Sequence, residues 1–260
     1  MQLNTHIPID PKLIHLVARK YSPLGYTPQL LQLLQKVYPE GNFESLTKYE
    51  LHQLLNDFLL NNYDGEQILK YRLFKQYFSN RHIVAAFEIK VNNSRADFLT
   101  INGQTCCFEI KTALDNFSKF AKQAADYMLA FEYNYLVIDE CHFGKALDLL
   151  PECFGLWVFK NGKTKQIKKA QLNMGIDPEI QLSLLTKQEL TASFPVEKGD
   201  REKVLAVYSN DIINLRFKKI LKDRYRSRWE FIVNNQDGIL PVDLQFFFNT
   251  NILPINIYFH

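Results

Sequence analysis

Apolar positions over the first sixty residues recur at helical spacing. Leu30, Leu31, Leu33, Leu34 and Val37 predict one helix after Thr27-Pro28, with Thr27 as its cap and Pro28 at its first position. Tyr49, Leu51, Leu54, Leu55, Phe58 and Leu59 predict a second, and Thr47 and Glu50 have the spacing of a capping box at its start. Ile68, Leu69, Tyr71, Leu73, Phe74 and Tyr77 give a third helix, from Asp64 to about Phe78. The pattern then shortens to strands: 83–91, then 94–101, a turn at Asn102-Gly103-Gln104-Thr105, and 106–112. Phe117, Phe120, Ala121, Ala124, Met128 and Phe131 form the buried stripe of a helix that Asp115 or Ser118 can cap. A strand at 135–138, a helix around 145–150, a strand at 155–159, the hairpin turn Lys160-Asn161-Gly162-Lys163 and a returning strand through Ile167 complete the central part. Helix, three-stranded meander, helix, strand, helix, strand hairpin is the order of a mixed α/β sheet with flanking helices.

The ends differ from this core. Residues 1–60 read as a helical N-terminal extension, 61–172 as the α/β core, and 173–260 as a mixed C-terminal extension. Within the last, Leu215, Phe217, Ile220, Leu221 and Tyr225 are the expected buried stripe of a helix with a basic outer face. From Trp229 onward the chain is too apolar for a disordered tail. Asp237-Gly238 marks a turn, and Leu240-Pro241-Val242-Asp243 is expected to begin an extended segment that packs on the core or on a second copy of the chain, as a homodimer.

With 260 residues, 47% of them hydrophobic, the chain can bury a sizeable single core with elaborated ends. Its formal charge of +3 is too small to announce a nucleic-acid binder, so local clusters must make that case. The 4 cysteines have no CxxC spacing and read as free thiols. No apolar stretch approaches the length of a membrane span, and a soluble, cytoplasmic protein is the expectation. His15, His52, His82 and His142 lack metal-ligand spacing and read as packing or surface residues.

Candidate chemistry lies in the 94–112 hairpin. Glu109 and Lys111 share one face of an otherwise apolar strand, while Phe108 and Ile110 share the other. Charge on such a strand is costly unless a metal, a partner or a substrate uses it. Asp97 on the preceding strand can complete two carboxylates and an ammonium, the equipment for Mg²⁺ and a water beside it. Loop length decides the matter. A two-residue loop sets Asp97 opposite Phe108 and facing away from Glu109; a three-residue loop or a bulge restores the common face. Glu66 reads as a favourable charge in a first helical turn, and Glu88 as an extra ligand or a rim charge.

Asp97 followed by Glu109-x-Lys111, on two strands preceded by a helix and strand and followed by an amphipathic helix, resembles the PD-(D/E)xK nuclease superfamily. Residues 64–170 are similar to its sce7726-type proteins through Glu88, Val91, Ser94-x-Ala96-Asp97, Phe108 to Thr112, Asp115, Lys122-Gln123, Tyr127 and Phe131. The resemblance implies a restriction-endonuclease-like core in which Asp97 and Glu109 hold Mg²⁺ or Mn²⁺ and Lys111 orients or activates the attacking water. Glu66 would complete the site and Gln123 would line it. The proline that often precedes the aspartate is Ala96 here.

Lys160, Lys163, Lys165, Lys168 and Lys169 fall together without an acidic residue among them, and 216–228, with Arg224, Arg226 and Arg228, holds a second basic run. Such clusters can grip a nucleic-acid backbone without reading sequence, or form solvated faces. The expected activity is metal-dependent hydrolysis of phosphodiester bonds in nucleic acid, DNA ahead of RNA. The alternative is a nucleic-acid-binding or assembly module that keeps the fold without catalysis.

Overall fold

The computed structural model describes residues 9–160 and 162–259, so Asn161 of the expected hairpin turn and the terminal His260 lie outside the described residues. The chain divides into two compact units, one made of residues 1–71 and 231–260, the other of 72–230.

In the second unit six strands form one sheet in sequence order: β1 (Val84–Val91), β2 (Ser94–Ile101), β3 (Thr105–Lys111), β4 (Tyr133–Asp139), β5 (Gly155–Lys160) and β6 (Lys163–Lys168). β1, β2 and β3 form the antiparallel meander, β3, β4 and β5 are parallel, and β6 returns antiparallel. Two helices, α5 (Phe120–Met128) and α6 (Phe143–Leu149), make the crossovers that parallel neighbours require. They pack on one face, where Phe120, Ala124, Leu136, Ile138, Ala146, Phe154 and Leu156 form a core. The opposite face is aromatic: Phe108 stacks on Tyr135 at 5.1 Å between centroids, and Phe98 and Phe108 meet Tyr77 of α4 (Glu66–Tyr77) at 6.0 and 5.9 Å. Trp229, near the end of the long α10 (Asn210–Asn234), joins them from Phe74 at 5.4 Å. Gly155 is required where β5 passes Tyr135, since a Cβ there would enter the tyrosine ring and meet the Ala170 nitrogen at 2.7 Å.

The predicted element order of this core holds, and three local expectations do not. Asp115 and Ser118 do not cap α5; Lys119 occupies the cap position without a side-chain bond, while Asp115 folds back to accept from the Thr112 N–H at 2.8 Å and its hydroxyl at 2.6 Å. Leu215 is 64% exposed, because the buried stripe of α10 runs instead through Ile213, Phe217, Ile220, Leu221 and Trp229. After residue 172 every described element is helical rather than mixed: α7 (Pro178–Ser183), α8 (Lys187–Ser193), α9 (Arg201–Val207), α10, α11 (Leu244–Thr250), α12 (Pro254–Tyr258) and two short 3-10 turns.

In the first unit, α1 (Pro11–Lys20), α2 (Thr27–Val37) and α3 (Lys48–Asn62) enclose Val17, Leu30, Leu34, Leu51, Leu55 and Leu59. The Thr47/Glu50 capping box closes α3 as expected. In α2 the cap position belongs to Tyr26, not Thr27, which is the first helical residue, with Pro28 behind it. The segment from Leu240 turns helical where extended chain was expected, and it places Asp243 at 1% exposure. There Asp243 Oδ2 accepts from Tyr21 at 2.8 Å and Tyr258 at 2.7 Å, and Asn56 accepts from the Val242 N–H. Since the single Tyr21 hydroxyl proton goes to Asp243, Asn56 Nδ2 at 2.7 Å and His52 Nδ1 at 2.9 Å must donate to its oxygen, which fixes the histidine tautomer. Among the described residues no helix is long and apolar enough to cross a membrane.

Candidate functional site

The β2–β3 loop has three residues: Ile101 pairs with Thr105, leaving Asn102, Gly103 at φ +70° and Gln104 in the turn. Glycine suits that left-handed position, as in three-residue hairpins. The register then runs Thr100 with Cys106 and Phe98 with Phe108, which sets Asp97 opposite Glu109 on the face carrying Lys111. The ladder ends at Phe98, and beyond it Asp97 Oδ2 accepts the Ile110 N–H at 2.7 Å. A carboxylate thus stands where a strand carbonyl would have been.

β1 contributes the residue opposite Asp97 on the other side. Phe87 pairs with Phe98 and Ile89 with Ala96, but Glu88 between them leaves the ladder at φ +60°. A non-glycine residue held in the left-handed region within a strand carries backbone strain of order 1 kcal/mol or more. The result is that carboxylate oxygens of Glu88 and Asp97 lie within 4.8 Å of one another. Arg95 forms an ion pair with Glu88.

Glu109 is 2% exposed and Lys111 8% exposed. Lys111 Nζ donates to Glu109 Oε1 at 2.7 Å and to Gln123 Oε1 of α5 at 3.0 Å. Tyr127, one helical turn beyond Gln123, donates its hydroxyl to Glu109 Oε2 at 2.7 Å. Burial pushes the Glu109 carboxyl above its ordinary value, against the pull of Lys111 and Tyr127. The Tyr127 phenol is raised as well, by burial and then by the Glu109 charge, so it remains a donor. The strand after Lys111 is fixed by the Asp115 bonds to Thr112 and by His142 Nε2, 2.9 Å from the Thr112 carbonyl.

The structure therefore brings Asp97, Glu109, Lys111 and Gln123 together. Tyr127 was missed as a site residue, although its i+4 spacing from Gln123 puts both on one helix face. Glu66, in the first turn of α4, belongs to the other unit and pairs with Lys70 at 2.5 Å. Asp243 sits in the tyrosine network of that unit.

The basic clusters separate. Lys163, Lys165 and Lys169 are exposed, whereas Lys160 pairs with Glu140 at 2.7 Å and Lys168 donates to the Glu152 carbonyl at 2.6 Å. On α10, Arg224 turns inward, its Nε 2.7 Å from Glu189 and its Nη2 3.0 Å from the Leu184 carbonyl. Lys218 pairs with Glu132 and Lys222 with the His82 carbonyl, each at 2.7 Å. Arg226 lies 3.4 Å from Asp223 and Arg228 is exposed. Much of this helix's charge therefore serves packing, because residues distant in sequence supply its acceptors.

Comparison with curated proteins gave no match. Among solved structures the chain is similar to the SPO1766 protein of unknown function from Silicibacter pomeroyi, at 16% identity over 52% of this chain and 89% of that one, with a TM-score of 0.33. The model of the family described as bacteriophage P4 protein cII matches residues 44–247, most of the chain. The chain belongs to the bacteriophage P4 protein cII family.

Proposed function

We propose that the second unit is a metal-dependent nuclease with a PD-(D/E)xK-like core, hydrolysing phosphodiester bonds of nucleic acid, DNA ahead of RNA. The observation that carries this reading is Lys111, an ammonium buried between the Glu109 carboxylate and the Gln123 carbonyl, with Asp97 across the strand pair. A buried ion pair is seldom worth more to stability than a well-packed apolar pair of similar volume. Its presence on the central strand points to chemistry.

The donor set suits a hard divalent cation. Asp97, Glu109 and Glu88 offer carboxylate oxygens, each with lone pairs beyond the hydrogen bonds described. The 4.8 Å bound between Glu88 and Asp97 is close to the roughly 4 Å that two oxygen ligands of Mg²⁺ can span. Bound there, Mg²⁺ or Mn²⁺ would stabilise charge on the phosphate oxygens and acidify a water. Around it the chain's own groups divide the work. Asp97 and Glu109 would hold the cation, and Lys111 first, then Tyr127 by donating to Oε2, oppose the upward push of burial on the Glu109 carboxyl. Lys111, aligned by Gln123, positions the attacking water, and the exposed Lys163, Lys165 and Lys169 can meet the nucleic-acid backbone.

The test is cleavage of single- and double-stranded DNA and RNA with and without Mg²⁺ or Mn²⁺, paired with calorimetric titration of Mn²⁺ into wild type and Glu109→Ala. Cation-dependent cutting is expected, reduced by about a hundredfold or more in Lys111→Ala, with the Mn²⁺ heat lost in Glu109→Ala. A well-folded Asp97→Ala or Lys111→Ala that cuts like wild type overturns the reading. One observation favours the runner-up, a binding or assembly module: both Glu109 oxygens have protein partners. Saturable nucleic-acid binding with neither cation uptake nor cutting would select it.

A further inference from the structure

A cleft of about 480 Å³ opens beside the site, entirely within the second unit, between the end of β1 and helices α7 and α10. Glu88, the residue whose carboxylate approaches Asp97, is among its lining residues. Two left-handed residues, Glu88 at φ +60° and Asn92 at φ +52°, bracket the β1 segment that forms one of its walls. At Glu88, inside the strand, that conformation is strained and persists only where surrounding structure imposes it, whereas Asn92 sits in the turn to β2, where asparagine adopts it readily.

The lining is graded. The Glu88 end carries a carboxylate already paired with Arg95. The far end carries exposed Lys90 and the half-buried pair Arg224 and Tyr225. Arg224 is held rigidly by Glu189 and the Leu184 carbonyl, and its guanidinium lies 5.7 Å from the centroid of the Tyr225 ring. Ile89 and Leu221 give the floor an apolar character. An aromatic ring, a lysine and an apolar floor are what an unpaired nucleotide needs: a surface for the base and a cation for the phosphate. A base can lie on that ring only when it is unpaired and turned out of its own stack.

We infer that this cleft receives an unpaired nucleotide of the substrate strand, its base against Tyr225 and its outer phosphate near Lys90, next to the phosphate at Asp97 and Glu109. The choice of ligand rests on the nuclease reading. The substrate class becomes single-stranded or locally opened nucleic acid, and an intact duplex is disfavoured.

The experiment measures binding apart from cutting. Full-length Lys111→Ala protein in EDTA is titrated with a single-stranded oligodeoxynucleotide of about 12 residues carrying 2-aminopurine, and with its duplex. Expected is tighter binding of the single strand, with fluorescence quenched as the base stacks. Tyr225→Leu should weaken that binding about tenfold and abolish the quench. Lys90→Glu, at an exposed strand position where folding is not at risk, should weaken it at least several-fold. Single-strand binding that is unquenched, unchanged in both variants, or no tighter than duplex binding overturns the inference. Because no cation is present, a positive result stands even if wild type with Mg²⁺ cuts nothing. Conversely, efficient cutting of intact duplex with an indifferent Tyr225→Leu would keep the nuclease and remove the cleft's role.

Discussion

Individual side chains in this protein are set by what buries them. Glu109 and Asp243 are both carboxylates raised by burial, yet one faces an ammonium and the other two tyrosine hydroxyls. The Asp243 carboxyl is pushed up from 3.8 to about 6, chiefly by burial, while burial and then Lys48 push His52 down from 6.5 to about 4. Folding therefore tightens the proton on Asp243, a contribution to stability present below 3.8 and lost as pH rises through 6. It loosens the proton on His52, a contribution present above 6.5 and lost as pH falls toward 4. The two slopes oppose each other across the same window. Asp243→Asn leaves the His52 slope uncompensated, so the variant should lose stability relative to wild type between pH 6.5 and 4, by about 2 kcal/mol at the acid end. Urea midpoints at three pH values check this; parallel curves for the two proteins would contradict it.

At the scale of elements, one turn decides the chemistry. Because side chains alternate along a strand, a one-residue change of register moves every residue of β2 to the other face relative to β3. The three-residue loop, with Gly103 at φ +70°, puts Asp97 on the Lys111 face and Phe98 in the aromatic layer with Phe108 and Tyr77. Deleting Gln104 should force either a slipped hairpin or a strained turn. Expected are loss of Mn²⁺ binding and of cutting and a changed near-ultraviolet dichroism from the disturbed aromatic layer. A deletion variant with wild-type calorimetry and spectrum would show that register does not fix the site. The β1 wall has the same logic: with Glu88 out of the ladder, its carboxylate can approach Asp97.

Over the whole molecule the net charge of +3 hides how cations are distributed. The α10 cations Lys218, Lys222 and Arg224 are tied to acceptors of their own unit, and those of β6 and its flank, Lys163, Lys165 and Lys169, are exposed. Replacing these three lysines by glutamine should reduce the salt dependence of DNA binding, the slope of log K against log salt falling in magnitude by about two to three. An unchanged slope, measured by fluorescence anisotropy at several salt concentrations, would place the backbone contacts elsewhere.

The element order of the α/β core, the capping box of α3 and the Glu109/Lys111 strand were legible in the residues, because periodicity and local hydrogen bonding act over a few positions. So was the candidacy of Asp97, though both faces stayed open until the loop was seen to hold three residues. Other features came only from tertiary structure. Asp115 turns back to Thr112 instead of capping α5, Leu215 faces solvent, the chain from Leu240 coils into helices, and Arg224 finds Glu189 thirty-five residues away. Each depends on a partner brought close by packing, and no local pattern carries that information. Sequence determined which residues could do chemistry; the sheet's register and the helices laid on it decided which of them meet.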